Sequence, residues 1–199
     1  MTSFPMDSDK WQQGVGLDDY LQHMQTYQTD MQRRISEIQL KPFELEKFAQ
    51  FERPMKIVAL SEDWCIDCLM TLPIMAQIAA ATPSMELRVF SRSKWPALKE
   101  YYNGRGIMSL PVYSFLDENY AEVGTFVERP KLAYQKMDEW KAAHPEIDAI
   151  RRSAKMTSEE KSGLLAKIRL DLQAEMEGWY REVCQSGMVA EVAGVLGLE

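Results

Sequence analysis

The sequence predicts an α/β fold, with a central mixed β-sheet, helices on both faces and further helices at each end. Three observations predict it. Apolar residues recur at steps of three and four through both terminal regions, which is the period of an amphipathic helix. Two short apolar runs, Met55–Ser61 and Met85–Ser91, flank a helical stretch, the βαβ order that builds a parallel strand pair. Two further runs, 111–116 and 122–127, sit either side of the polar turn Asp117-Glu118-Asn119 and read as an antiparallel hairpin.

Residues 1–16 are mostly polar and read as a loose terminus. From Leu17, apolar residues at Tyr20, Leu21, Met24, Tyr27, Met31, Ile35 and Ile38 predict one long amphipathic helix. Pro42 interrupts it. Phe43, Leu45, Phe48 and Phe51 then fit a short helix closed by Arg53-Pro54. This region, 17–53, is expected to pack on the core, although the near-heptad spacing also suits a homodimer.

The first strand, 55–61, is bounded by Pro54 and the pair Glu62-Asp63. Cys65–Ala81 reads as a helix, kinked at Pro73 and ended by Thr82-Pro83. After the strand 85–91, Trp95, Leu98, Tyr101 and Tyr102 fit a helix over 94–103, and Gly104-Arg105-Gly106 a turn. Arg129-Pro130 ends the hairpin, and a helix over 131–143 is broken by His144-Pro145. Residues 54–143 thus form the expected core and 144–199 a C-terminal helical extension, all in one compact unit. Within the extension, 145–156 fits no element clearly. Thr157-Ser158-Glu159-Glu160 has the form of a capping box. The helix it opens carries Leu164, Leu165, Ile168, Leu172, Met176, Trp179, Tyr180 and Val183 on one face, and a last short helix covers about 188–196.

Composition excludes several function classes. The 199 residues are 46% apolar and 27% charged, as in a soluble globular protein. A net charge of −7 argues against nucleic acid, which needs a basic face, and against an anionic membrane surface. No apolar run approaches the roughly 20 residues of a membrane span. Met1 to Asp9 lacks the basic and apolar regions of a secretory signal. Three cysteines do not make a disulfide framework, so a reducing, cytoplasmic setting is expected.

The sharpest motif is Trp64-Cys65-Ile66-Asp67-Cys68, just before the predicted helix. A helix N-terminus offers unpaired N–H groups and a positive dipole end, both of which favour a thiolate over a thiol. One helical turn also brings the second cysteine within disulfide range. Two other readings stay open from the residues alone. The pair could be half of a zinc site, although the remaining candidates, Cys184, His23 and His144, are scattered. It could also be two inert core thiols.

On these residues the segment 55–130 resembles the thioredoxin superfamily. Beyond the WCxxC, Pro73 falls eight residues after Cys65, followed by Ile74 and Ile78-Ala79. Pro111 falls 46 residues after Cys65 and opens a predicted strand, and Gly124 follows in the hairpin. The chain is further similar to bacterial thioredoxin-like proteins with extra helices and an EDWCxDC-type site. Glu62 to Cys68, Arg92, Gly104-Arg105-Gly106 and Arg129-Pro130 carry that similarity.

The resemblance implies a thioredoxin-like fold and a thiol–disulfide oxidoreductase, acting as a cytosolic disulfide reductase. Cys65 would be the attacking thiolate and Cys68 the resolving thiol. Trp64 would offer an apolar docking surface, and Pro111, in cis, would hold the Leu110 backbone beside Cys65 to meet an extended substrate. The substrate would be a disulfide-containing protein or a low-molecular-weight thiol compound, with electrons from a reductase or a thiol donor. No organic cofactor or metal is implied beyond the Cys65–Cys68 disulfide itself. The rival functions are a thioredoxin-fold binding or adaptor module without turnover, and a CxxC metal-binding domain.

The chain departs from thioredoxins where they carry a buried Asp six residues before the first cysteine; here that residue is Ala59. Asp67 stands inside the motif, where its negative charge should raise the cysteine pKa values. Asp67 or Glu62 is a candidate replacement proton acceptor for Cys68; the alternative is that both are solvated surface carboxylates. Arg92 and Arg105 either offset this charge, contact an anionic substrate or are simply solvated. Cys184 reads as a packed thiol, His23 and His144 as ordinary surface or packing residues, and Met70 and Met108 as core filling or adaptable substrate contacts.

Overall fold

The structure, a computed structural model, describes residues 3–198. Strands β1 (Met55–Ser61), β2 (Met85–Ser91), β3 (Val112–Leu116) and β4 (Glu122–Val127) form one sheet in the order β2-β1-β3-β4. β1 runs parallel to β2, with Met55 opposite Met85, and antiparallel to β3, with Ala59 opposite Tyr113. The hairpin β3–β4 is antiparallel with a bulge at Phe115/Leu116. This is the expected α/β architecture, a mixed sheet built on β1.

Side chains alternate across a strand, so each face of β1 meets a different layer. Val58 and Leu60 join Phe90 and Val112 in an apolar cluster. Leu98 and Tyr102 of a helix after β2 (Pro96–Gly104) complete it, with Phe4, Met6 and Trp11. On the Ala59–Tyr113 face lies the helix after β1 (Ile66–Ala80), where Thr71 Oγ1 is 2.9 Å from the Tyr113 hydroxyl.

In chain order the helices of the first part are α1 (Ser8–Trp11), α2 (Leu17–His23), α3 (Gln28–Glu37), α4 (Pro42–Ala49), α5 (Ile66–Ala80) and α6 (Pro96–Gly104). α5 is the central one. It packs on β1 and β2, on α3 and α4, and on the last helix of the chain (Gln185–Val195). Asp67 through Met75 are buried without a break, which explains why this stretch is apolar all round rather than along one stripe.

Pro73 leaves a defect inside this buried helix, because it has no N–H to donate to the Leu69 carbonyl four residues back. Arg34 of α3 fills it. The buried guanidinium donates from Nε to the Leu69 carbonyl at 3.1 Å and from Nη2 to that of Met70 at 3.4 Å. The helix-interrupting proline thus leaves the carbonyl that an arginine from a distant helix meets.

The N-terminal expectations are corrected in two places. Residues 3–15 are not loose: Phe4, Met6 and Trp11 are buried, and Asp7 caps α1 by accepting from the Lys10 N–H at 2.9 Å. Val15 exchanges two backbone hydrogen bonds with Val89, covering the outer edge of β2. The polar composition concealed three well-spaced apolar anchors. The single long helix predicted from Leu17 is instead two, α2 and α3. Asp63 breaks it by accepting from the N–H groups of Gln25 and Thr26 at 2.7 and 3.1 Å, while Tyr27 turns the backbone at φ 57°.

The one compact unit expected is also corrected. The chain divides into two: the first holds the chain up to Arg129 and again from Gln185, and the second is Pro130–Cys184. The last helix rejoins the first unit and packs on β4, where Gly124 gives it room: a Cβ there would lie 2.5 Å from Val195 Cγ1. The second unit contains α7 (Lys131–Ala143), α8 (Glu146–Arg152), α9 (Ser158–Trp179) and a π-helical turn, Tyr180–Cys184, that leads into α10 (Gln185–Val195). α8 occupies the stretch that fitted no element. The capping box of α9 forms, with Thr157 and Glu160 exchanging hydrogen bonds at 2.8 and 3.2 Å. The apolar face expected along α9 is only partly buried: Met176 and Tyr180 are buried, whereas Leu164 is exposed.

Replacing Trp11 with Ala should cost about 3–5 kcal/mol, the usual loss for a fully buried aromatic, read as a lowered denaturation midpoint. A loose terminus would leave the midpoint unchanged.

Candidate active site

Cys65 is the N-cap residue of α5, and its extended backbone turns the side chain over the open end of the helix. Its Sγ accepts from the Cys68 N–H at 3.4 Å and so does the work that Ser, Thr or Asp usually does there. Cys65 is half-buried and Cys68 fully buried, and both are thiols. The Leu110–Pro111 peptide bond is cis, and the Leu110 carbonyl accepts from Cys65 Sγ at 3.6 Å. Trp64 is 58% exposed on one side of the motif, and Met108, two residues before Leu110, is 67% exposed; Met70 is core.

The environment drives the two thiols apart. The Cys65 pKa is lowered, first by a hydrogen bond from the Cys68 thiol and then by the Cys68 and Asp67 N–H groups, which together outweigh the burial that opposes them. The Cys68 pKa is pushed well up, chiefly by burial and then by the same thiol–thiol hydrogen bond and the charge on Cys65. One group is set to ionise early and the other to stay protonated. That is the arrangement of an attacking and a resolving thiol.

Asp67 and Glu62 are not solvated surface carboxylates. Asp67 Oδ2 accepts from Arg129 Nη2 at 2.6 Å, with only 10% of the arginine side chain and 8% of the aspartate exposed. Glu128 Oε1 accepts from the same Nη2 at 2.6 Å. The repulsion expected between Asp67 and the Cys65 thiolate is present but is weaker than burial and the two hydrogen bonds from Cys68, and it acts beside a guanidinium. Glu62 is buried too, and Oε1 accepts from the Ser93 N–H at 2.6 Å. Both candidate proton acceptors therefore already hold structural hydrogen bonds.

The remaining candidates separate. Arg92 is a brace: Nη1 donates to the Met108 carbonyl at 2.7 Å and Nη2 to Asn103 Oδ1 at 3.1 Å, tying the end of β2 to the loop that delivers Leu110. Arg105 is not brought to the cysteines. It pairs with Glu122 at 2.6 Å and lies over the Tyr101 ring, and Glu122 stands opposite Leu116, at the end of β3 remote from Pro111.

Cys184 is buried in the second unit. His23 and His144 each donate from Nδ1 at 2.7 Å to the carbonyl four residues back. Among the described residues, no group of three or more His, Cys, Asp or Glu side chains is placed to hold a metal ion, and no helix is long and apolar enough to cross a membrane.

Three residues at this site escaped the sequence reading. Arg129 was visible as part of Arg-Pro, but its partner Asp67 is 62 positions away. Ser61 and Tyr20, whose hydroxyls lie 3.3 Å apart beside Cys68, carry no local signal.

A family model described as thioredoxin matches residues 14–141, well over half of the chain. No curated protein matches the sequence. Among solved structures, the chain is similar to the crystal structure of a protein of unknown function from Pseudomonas aeruginosa, at 19% identity and a TM-score of 0.66, covering 99% of this chain and 98% of that one. It is also similar to a structure described as an HIV epitope-scaffold, at 18% identity and a TM-score of 0.62, covering 98% of both chains. At these identities the likeness concerns the fold alone.

The pH dependence of Cys65 alkylation, followed by mass spectrometry, should show a midpoint below that of an ordinary thiol. Removing the leading donor in Cys68→Ala should raise the midpoint, and removing the opposing charge in Asp67→Asn should lower it. Arg129→Met should raise it and also destabilise the fold by about 3–5 kcal/mol, because it strips a buried charge of its partner.

Proposed function

We propose that this chain, which belongs to the thioredoxin family, is a thiol–disulfide oxidoreductase that works as a cytosolic disulfide reductase through Cys65 and Cys68. The observation that carries this reading is the split between the two thiols. Cys65 is only half-buried, caps a helix and is tuned toward the thiolate, while Cys68 is buried and held as a thiol one turn away.

The chemistry follows from the geometry. The Cys65 thiolate attacks one sulfur of a substrate disulfide and forms a mixed disulfide, releasing the other sulfur as a thiolate. Cys68 then loses its proton and attacks Cys65 Sγ. The Cys65–Cys68 bond forms, the mixed disulfide breaks, and the substrate leaves fully reduced. A reductase or small thiol returns two electrons to the Cys65–Cys68 disulfide. Exposed Trp64 and Met108 offer apolar contact to a substrate, and the Leu110 backbone beside Cys65 is suited to pair with an extended segment. A disulfide-containing protein is the substrate best matched to this surface.

Redox titration in defined thiol–disulfide buffers tests the reading, together with a disulfide-reduction assay. Wild type should form a reversible Cys65–Cys68 disulfide and turn over, whereas Cys65→Ser should do neither. Mild oxidation that yields no intramolecular disulfide would leave an adaptor role, and stoichiometric zinc uptake would favour metal binding.

A further inference from the structure

The resolving step demands a proton transfer in a place without solvent. Cys68 is fully buried, and burial holds it as a thiol. Ala59, where thioredoxins carry an Asp, offers nothing to take its proton. Asp67 faces Arg129, and the Glu62 carboxylate accepts from Ser93. The groups that act on the Cys68 thiol against its burial are the Ser61 hydroxyl and the Glu62 N–H, each as a hydrogen-bond donor.

Ser61 ends β1 on the same side of the strand as Ala59. It is fully buried, and its Oγ is 3.3 Å from the hydroxyl of Tyr20, which α2 lays across this end of the sheet. Tyr20 is itself buried but lines a cleft of about 480 Å³ whose wall also includes Asp19, His23, Glu62 and Asp63. Ser61 and Tyr20 therefore stand between the Cys68 thiol and a cleft open to solvent.

We propose that Ser61 and Tyr20 are a proton relay that carries the Cys68 proton to water in this cleft during resolution of the mixed disulfide. The proposal rests on the oxidoreductase reading given above. A hydroxyl has one proton to give and lone pairs to accept another, so each can pass a proton on as it receives one. As Cys68 attacks Cys65 Sγ, its proton moves to Ser61 Oγ, the Ser61 proton moves to Tyr20 and the Tyr20 proton moves to a water. Both hydroxyls end neutral. The electron pair of the broken disulfide leaves on the substrate sulfur, and the net products are the Cys65–Cys68 disulfide, a substrate thiolate and a hydronium ion. Burial raises the Tyr20 pKa, so the phenol exchanges protons without resting as phenolate.

Stopped-flow reaction of the reduced full-length protein with the aromatic disulfide DTNB separates the steps. A first release of nitrothiobenzoate reports attack by Cys65 and a second reports resolution by Cys68; Cys184 is buried. Ser61→Ala should slow the second phase about 100-fold, the lower end of general acid–base catalysis, and Tyr20→Phe by about tenfold or more. The first phase should be unchanged in both. In wild type the second phase alone should slow in D₂O, a response that a packing role would not produce. Second-phase rates equal to wild type in both variants would overturn the relay, as would equal slowing of both phases. Wild type that never releases a second equivalent would overturn the oxidoreductase reading along with it.

Discussion

The structure depends on the burial of α5 from Asp67 to Met75. A helix packed against a sheet and three other helices gains a large apolar contact, but its buried polar groups are cut off from water. Each one must then find a partner within the protein, because an unmet buried group costs roughly 1–3 kcal/mol. The candidate active site is largely the set of those partners. The open N-terminus meets the Cys65 sulfur, the Leu69 carbonyl exposed by Pro73 meets Arg34, and Asp67 meets Arg129.

The same constraint explains why two cysteines in one motif differ so much. Cys65 stands where the helix presents N–H groups and has one side toward solvent, so a negative sulfur is stabilised there. Cys68 lies one turn deeper, where a charge is penalised and the thiol serves as a donor to its neighbour. Neither property needs an external group, since the direction and burial of α5 supply both. Asp67 still works against the arrangement, and Arg129 opposes it with a positive charge 2.6 Å from the carboxylate.

Much of the frame was legible because it rests on local rules. Short apolar runs and the breakers around them located all four strands and α5 to within a residue or two, and Thr157 with Glu160 announced the start of α9. The failures share a cause. The break between α2 and α3 depends on Asp63, and the docking of the N-terminus depends on Trp11 meeting Phe90 and Arg88, whose ring and guanidinium lie 6.1 and 5.4 Å from the indole. Each is a contact between segments far apart in the chain, and no window of sequence contains both halves.

The site divides along the same line. The chemistry available is written locally in the chain: a cysteine pair at helical spacing, a tryptophan before it, a proline within the helix, and an alanine where a thioredoxin carries an acid. Those are covalent and local facts. Only the tertiary structure decided which charged groups belong to the site. It brought Arg129 to Asp67 and Tyr20 to Ser61, turned Arg92 into a loop brace, and took Arg105 away to Glu122. Long polar side chains carry no period that reveals their partners. Their roles are settled by which buried atoms lack a hydrogen bond once the apolar core has closed.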